Sequence, residues 1–314
     1  MNAEHNNQQV VVGYDASRES DFALQWAARV AQRRQCSLLI VSATEVDQSS
    51  VELARPGIQE MYLRQAQHTA ESGADQARQI ADLDIQAEGR PGDAANALIE
   101  SAEHASLLVI GHRARGVLPD IILGSVAFKV THHANCPVAV IRRSPRPLPS
   151  MEYPVVAGVD GSAYGVRALQ EAARLAADTG SFLRIVVAWK RPNWNLWSLA
   201  TSLNPLAEKS EGAPQTDHPG HDDPVYQQIV ADTEQQAQTI ARQAAEQVRQ
   251  RYPALKIEQI ISEGAADQAI LSAAADASMI AVGARGLGDL QALHLGSISR
   301  KVMQRAECAV YVVR

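Results

Sequence analysis

The chain alternates short apolar runs with longer stretches in which apolar residues return every three or four positions. The runs at 38–41 and 107–110 are entirely apolar, which is typical of strands buried on both faces of a sheet. Leu24, Ala27 and Ala31 have the spacing of one helix face, and alanines on that face allow a helix to lie close to a sheet. The alternation predicts an α/β fold in which helices cover a parallel sheet.

The order of these elements predicts the architecture of the first half of the chain. Predicted strands lie at 9–14, 37–43, near 85, at 107–111 and at 138–142. Predicted helices lie at 20–34, 57–81, 93–104 and 125–134. The second half repeats this order. We therefore predict two tandem doubly wound, Rossmann-like domains, each with a five-stranded parallel sheet.

The second half of the chain is a copy of the first. Residues 13–17 (GYDAS) recur as 158–162 (GVDGS), so Asp160 follows Asp15 at an offset of 160 − 15 = 145. Residues 123–126 (LGSV) recur as 295–298 (LGSI), where the offset is 296 − 124 = 172. The difference, 172 − 145 = 27, indicates an insertion in the second copy. A period this long indicates whole domains rather than solenoid repeats.

The repeat and the proline-rich stretches set the predicted domain boundaries. The first domain spans 1–143, and a short stiff linker with three prolines spans 144–150. The second domain spans 151–314 and carries the insertion at about 190–224, which is polar and also contains several prolines. We predict a surface loop for this insertion. The last strand of each copy lies at a predicted sheet edge, so we expect the two copies to pair and two chains to form a dimer.

A glycine-containing loop follows the buried run at 280–282. Gly283 and Gly286 come directly after the run, and Gly296 and Ser297 open the next predicted helix. Glycines allow main-chain amides to approach an anion, and a helix start favours negative charge, so the pattern predicts a phosphate loop. It is neither a P-loop nor a dinucleotide fingerprint. The alternative is a pair of turn glycines followed by a serine helix cap.

The glycine spacing resembles the ATP-binding signature of the universal stress protein family. Two residues separate Gly283 from Gly286, and nine separate Gly286 from Gly296. The resemblance covers nearly the whole chain, which is similar to a tandem, ATP-binding member of that family. It implies ATP as ligand, with or without Mg, and an adenine pocket in each half. In the second half, the residues it implies as contacts are Gly158, Trp189, Val282, Gly283, Gly286, Gly296, Ser297 and Ile298. In the first half, they are Gly13, Ala43, Ile110, Gly111, Ala114, Gly124, Ser125 and Val126.

Charged residues near the same strand ends are further candidate contacts. Asp15 and Asp160 each follow the first strand of a copy, and we expect them to face the ribose and adenine end because a carboxylate repels phosphates. Arg113 and Arg285 flank the loops, where they pair with phosphates or are solvated.

Two residues depart from the family pattern. Ala114 replaces the second glycine of the first loop, so its methyl group obstructs the backbone or opposes a positive φ. Trp189 is bulkier than the residue usual in the family, and it either stacks on adenine or fills its place.

Composition excludes several classes of protein. The 314 residues are 46% hydrophobic and 20% charged, with a formal net charge of −6, which argues against a nucleic-acid-binding surface. The three cysteines form no C-x-x-C pair, so we expect neither a disulfide framework nor a zinc site. No signal peptide or membrane-spanning run is evident, and we predict a cytoplasmic protein without membrane contact. For His132, His133 and Cys136, a helix end before a core cysteine is the favoured interpretation over a metal site.

The predicted function is nucleotide binding rather than dedicated catalysis. No nucleophile, base and orienting group recur at a credible spacing. We therefore predict an ATP-binding regulator of stress or dormancy that hydrolyses ATP slowly at most and acts on an unknown protein partner. The alternatives are an adenine-nucleotide hydrolase-like enzyme and a nucleotide-free scaffold.

Overall fold

The computed structural model describes residues 9–44, 57–112, 123–142, 148–193, 224–287 and 295–314. The elements of the first copy are β1 (Val10–Gly13), α1 (Arg18–Arg34), β2 (Leu38–Thr44), α2 (Ile58–Arg78), β3 (Ile85–Pro91), α3 (Ala94–Ser101), β4 (Leu107–Gly111), α4 (Ser125–His133) and β5 (Val138–Ile141). Those of the second are β6 (Val155–Gly158), α5 (Ala163–Thr179), β7 (Leu183–Trp189), α6 (Pro224–Arg251), β8 (Ile257–Glu263), α7 (Ala266–Ala273), β9 (Met279–Gly283), α8 (Ser297–Arg305) and β10 (Ala309–Val313). The predicted α/β fold, with strands and helices alternating in each copy, is confirmed.

The ten strands of the described residues form one sheet, in the order β3-β2-β1-β4-β5-β10-β9-β6-β7-β8. Pairing is parallel within each copy and antiparallel between β5 and β10, where Tyr311 faces Ala139. The strand order reverses between β1 and β4 in the first copy and between β6 and β9 in the second. In open α/β sheets, ligands bind at the carboxyl ends of the strands at such reversals.

The β5–β10 pairing confirms that the last strands of the two copies pair with each other. It takes place within one chain, so these two edges are already covered and give no reason for a dimer. The end of each of these strands also carries an arginine that crosses to the other copy. The Arg142 guanidinium donates to the Gln304 carbonyl at the end of α8 (2.8 Å), and that of Arg314 donates to the Thr131 carbonyl in α4 (3.3 Å). Carbonyls in the last turn of a helix attract positive charge, which favours both bonds. Each bond joins an arginine of one copy to a helix of the other.

The core consists of two clusters, one on each face of the sheet. One cluster includes residues of α1, α2, α5 and α6, and the other includes residues of α3, α4, α7 and α8. Ala27 and Ala31, the alanines predicted to face the sheet in α1, are fully buried, and so are their equivalents in α5, Ala172 and Ala176. Their small side chains allow these helices to pack close to the strands.

Candidate functional site

A crevice of about 360 Å³ lies at the carboxyl ends of β6 and β9. We refer to it as the second crevice. It forms where the strand order reverses, because the chain leaves neighbouring strands in opposite directions there. Most of the residues predicted for the second copy line it, and these are Gly158, Asp160, Val282, Gly283, Arg285, Gly286, Gly296, Ser297 and Ile298.

A smaller crevice of about 270 Å³ occupies the equivalent place between β1 and β4. We refer to it as the first crevice. Its lining includes the predicted residues Gly13, Asp15, Ala43, Ile110, Gly111, Gly124 and Val126. Ser125 begins α4 but is not part of this lining, and Arg113 and Ala114 lie outside the described residues. Tyr14, Ser20 and His112 also line the crevice, although the sequence pattern did not identify them.

The prediction for Trp189 was wrong, because the true counterpart of Ala43 is Ala188. Gly13 pairs with Val41 and Gly158 pairs with Val186, so the copies align at an offset of 145 throughout this strand. Ala188 lines the second crevice, whereas the Trp189 side chain packs against the core cluster of α5 and α6 on the other face. Successive side chains of a strand point to opposite faces, so a one-residue error in alignment exchanges the two sides of the sheet.

Asp160 holds the glycine loop, while its place at the ribose and adenine end of a bound nucleotide stays a prediction. Its Oδ2 accepts a hydrogen bond from the Leu287 amide (3.1 Å), and its Oδ1 accepts bonds from the Ser162 amide (3.0 Å) and hydroxyl (2.6 Å). Ser162 also caps α5 by accepting a bond from the Gly165 amide (3.0 Å). We call this set of bonds the Asp160 tether. A carboxylate satisfies a loop amide in the same way that a bound anion does, which is the physical reason for its position.

The loop glycines are required by close contacts rather than by unusual dihedral angles. A Cβ at Gly283 would lie 2.7 Å from the carbonyl carbon of Tyr164, in the first turn of α5. A Cβ at Gly286 would lie 2.6 Å from Oδ2 of Asp160. Neither glycine is among those with positive φ. At Gly286, a methyl group would therefore disturb the Asp160 tether, and the objection that alanine resists a positive φ does not apply there.

The start of α8 forms the opposite wall of the second crevice. Gly296 occupies the cap position and supplies no side-chain bond, and its own amide donates to the Ala284 carbonyl (2.7 Å). Ser297 is the first helical residue, is exposed and lines the crevice, so it is not the helix cap that one interpretation of the sequence favoured. The first amides of a helix lack intrahelical partners and carry partial positive charge, which suits an anion.

Arg285 supplies positive charge to the second crevice. Its guanidinium carbon lies 5.6 Å from the centre of the Tyr164 ring, and its Nη1 lies 3.4 Å from the Tyr164 hydroxyl. Burial, together with the nearby charge of Arg285, lowers the pKa of Arg314. Lys129 and Lys301 are exposed, and they pair with Asp93 (3.2 Å) and Asp267 (3.7 Å) instead of lining a crevice.

His112 gives the first crevice a different chemistry. It is buried, and its Nε2 lies 2.8 Å from Nη2 of Arg142. A guanidinium only donates hydrogen bonds, so Nε2 accepts and the imidazole is neutral. The equivalent residue in the second copy is Ala284. The amides of His112 and Ala284 both donate to a carbonyl in the last strand of their own copy, which establishes the equivalence. No periodic signal marks His112, because its partner Arg142 directly follows β5.

The described residues also limit the other candidate sites. Among them, no three His, Cys, Asp or Glu side chains group as metal ligands. His132 and His133 have ring centres 6.1 Å apart, and burial raises the pKa of the Cys136 thiol to about 11. Within the same ranges, no helix has both the length and the apolar content needed to cross a bilayer.

Comparisons with known proteins relate the whole chain to one family. The profile of the Universal stress protein family matches residues 6–142 and 153–314. Universal stress protein Rv1996 of Mycobacterium tuberculosis is 28% identical over 335 residues, covering 100% of this chain and 97% of the relative. A universal stress protein structure from Archaeoglobus fulgidus DSM 4304 has a TM-score of 0.63 at 18% identity, and the match covers 98% of both chains. A universal stress protein solved in complex with cAMP is 25% identical, with a TM-score of 0.33, over 44% of this chain and 99% of its own.

Proposed function

Because this chain belongs to the universal stress protein family, we propose that it binds ATP in the second crevice and acts as a nucleotide-dependent regulator of stress or dormancy. The observation that carries the proposal is the group of anion-binding features around this crevice. Glycine main chain, the uncapped start of α8 and the Arg285 guanidinium converge on it. Each of these features favours negative charge, and phosphates are the anions that such loops bind in α/β folds.

The other end of the second crevice suits an adenosine group. Val186, Ala188, Ile270 and Val282 provide an apolar lining beside Gly158. The volume of about 360 Å³ lies within the range of pockets for small ligands, roughly 300–1,000 Å³. Apolar walls beside a few directed polar groups are the usual composition of a nucleotide pocket.

A contact between the copies supports a regulatory role. The amide of Leu295, directly before Gly296, donates to Nε2 of His132 in the first copy (3.2 Å). Nδ1 of His132 lies 3.2 Å from the Phe128 carbonyl, so the imidazole donates there and accepts from Leu295. A ligand that changes the position of the α8 start therefore changes contacts of the other copy, and it shifts the population of conformations that a protein partner meets.

We propose that the protein is not a dedicated catalyst and hydrolyses ATP slowly at most. Mg is proposed as an ion that accompanies the nucleotide. The proposed domains are 1–143 and 151–314, joined by the linker at 144–150, most of which lies outside the described residues, as does most of the proposed insertion at 190–224. We propose that the protein is cytoplasmic. We also propose that two chains associate, which a measurement of the molecular mass in solution tests.

Nucleotide content per chain tests the proposed function. Freshly purified protein is denatured, the released nucleotide is identified and quantified, and the apo protein is then titrated with ATP during thermal unfolding. We expect ATP to raise the unfolding temperature, because a ligand that binds only the folded state stabilises it. The Gly286→Ala variant should lose this effect at the second crevice, because its methyl group disturbs the Asp160 tether.

A matched glycine in the first copy provides the control. Gly111→Ala introduces a methyl group at the mouth of the first crevice and leaves the second unchanged. Wild-type protein that carries no nucleotide and shows no thermal shift with ATP would support a nucleotide-free scaffold. Steady ATP consumption with Mg at more than a trace rate would instead favour the hydrolase-like enzyme.

A further inference from the structure

The two crevices differ at one equivalent position in the first turn of the helix beside each glycine loop. Tyr164 holds this position in the second copy and Glu19 holds it in the first, at the offset of 164 − 19 = 145. Both lie directly against the first loop glycine. A Cβ at Gly283 would be 2.7 Å from the Tyr164 carbonyl carbon, and one at Gly111 would be 3.0 Å from that of Glu19. The backbone arrangement is therefore shared, and a neutral aromatic ring replaces a carboxylate.

The Tyr164 ring holds positive charge at the edge of the second crevice. The guanidinium carbons of Arg285 and Arg167 lie 5.6 Å and 5.7 Å from the centre of this one ring. A guanidinium over an aromatic face is attracted by the ring, and the attraction restricts its position. Arg285 lines the crevice, so the ring holds a guanidinium at the edge of that crevice.

The arginines at the ends of the last strands, Arg142 and Arg314, also have different surroundings in the two copies. In the first copy, Nη2 of Arg142 bonds both His112 (2.8 Å) and the Gln304 carbonyl (2.8 Å). In the second, Arg314 donates to the Thr131 carbonyl (3.3 Å), and burial, followed by the charge of Arg285, lowers the pKa of Arg314. A like charge disfavours a charged group and an opposite charge favours it, so this effect of Arg285 is reduced by a bound anion. The counterpart of Arg285, Arg113, lies outside the described residues.

We propose that the second crevice selects adenine nucleotides by their number of phosphates, with Arg285 supplying the charge and Tyr164 acting as its positioning residue. The inference rests on the proposed function, since it names the ligand class that the same crevice prefers: nucleoside di- and triphosphates over monophosphates. Adenosine carries no phosphate to pair with the Arg285 guanidinium, so we expect its affinity to be independent of both residues. The discrimination depends on charge and therefore weakens as salt concentration rises.

Calorimetric titration of the apo protein with adenosine, AMP, ADP and ATP tests this inference. Magnesium is omitted so that the phosphate charge is not neutralised. We expect the second crevice of the wild type to bind ATP about tenfold or more tightly than AMP, the effect of one charge-assisted hydrogen-bonded contact. Arg285→Gln should remove most of this ratio and leave adenosine affinity unchanged. Tyr164→Phe keeps the ring and should keep the ratio, whereas Tyr164→Ala should lower it several-fold.

Arg18→Gln is the control for loss of one positive charge beside an aromatic ring. The Arg18 guanidinium carbon lies 5.6 Å from the centre of the Phe22 ring in the first copy, so this variant should keep the wild-type ratio. Equal affinities of the wild type for AMP and ATP would overturn the inference and leave nucleotide binding intact. A Tyr164→Ala variant with an unchanged ratio would remove Tyr164 from the proposal. Failure of adenosine and of every nucleotide to bind would overturn the proposed function itself.

Discussion

Replacement of Gly283 by alanine should destabilise the protein through a contact between two backbones. The added carbon would lie 2.7 Å from the carbonyl carbon, 2.8 Å from Cβ and 2.9 Å from the carbonyl oxygen of Tyr164. These atoms belong to the first turn of α5, which the Ser162 cap and the buried alanines of the helix hold in place. The helix must therefore move away from β9. Forcing an extra methyl group into a packed region costs about 1–3 kcal/mol, and we expect a loss in that range.

Alanine substitutions at two other glycines give smaller expected losses of stability, against which the loss for Gly283→Ala can be compared. Gly158→Ala places its carbon 2.5 Å from Cδ1 of Ile270, which is the flexible end of a side chain, so rotation of that group relieves the contact at lower cost. Gly111→Ala meets the backbone of Glu19 at 3.0 Å, a looser contact of the same kind. Gly283→Ala should therefore be the least stable of the three variants.

Urea unfolding of the three variants and the wild type measures the free energies of unfolding. Variants that change the midpoint without changing the slope of the transition report stability directly. A loss of 1 kcal/mol corresponds to roughly 2–4 °C in melting temperature for a domain of 150–250 residues. A Gly283→Ala protein as stable as Gly158→Ala would refute the reasoning, because it would mean that α5 is free to shift.

Three further predictions concern local structure. Ala16 has φ of 58°, and its equivalent in the second copy, Gly161, has φ of 82°. Ala16→Gly should therefore raise the free energy of unfolding, measured in urea, by up to about 1 kcal/mol, and Gly161→Ala should lower it by about 1–2 kcal/mol. A change of the same sign and size in both variants would contradict this. Burial, followed by the hydrogen bond to Asp21, raises the pKa of Tyr14 to about 12. Because this pKa lies above the unfolded value near 10, its stabilising contribution is present below pH 10 and is lost between about pH 10 and 12, so the difference in unfolding free energy between wild type and Tyr14→Phe should shrink over that interval. Asp93 caps α3 by accepting a bond from the Asn96 amide (2.8 Å), which lowers the pKa of this carboxyl. Asp93→Ala should therefore lower the free energy of unfolding by about 1 kcal/mol at neutral pH, and by less in acid, where the wild-type carboxylate is protonated. An equal loss at both pH values would exclude the charge effect.

Much of the fold could be predicted because it depends on local patterns. Apolar runs and helical periodicity determine where strands and helices lie, and the internal repeat shows that one architecture occurs twice. The errors are small at the helix ends: the helix predicted at 57–81 is Ile58–Arg78, and the one predicted at 93–104 is Ala94–Ser101. These ends depend on caps and on the following loop rather than on the periodic face.

The candidate site could be predicted only in part. The strand ends and loop glycines lie where the repeat indicated, because the topology of an α/β sheet brings strand ends together. Trp189 was named in place of Ala188 through an alignment error of one residue, since the offset of 145 gives 43 + 145 = 188, and in a strand an error of one residue selects the wrong face. His112 was missed because its role depends on Arg142, which a different strand brings to it.

By itself, the sequence determined the alternation of strands and helices and the glycine loop, because both are patterns of neighbouring residues, and it determined the duplication, because two separate segments have similar sequences. Only the tertiary structure decided that the copies share one ten-stranded sheet, that Asp160 holds the amide of Leu287 and that Tyr164 holds Arg285. Those contacts join residues more than a hundred positions apart, and their geometry follows from how the helices pack on the sheet. Periodicity records which face of an element is buried, but it contains no information about which distant group that element meets.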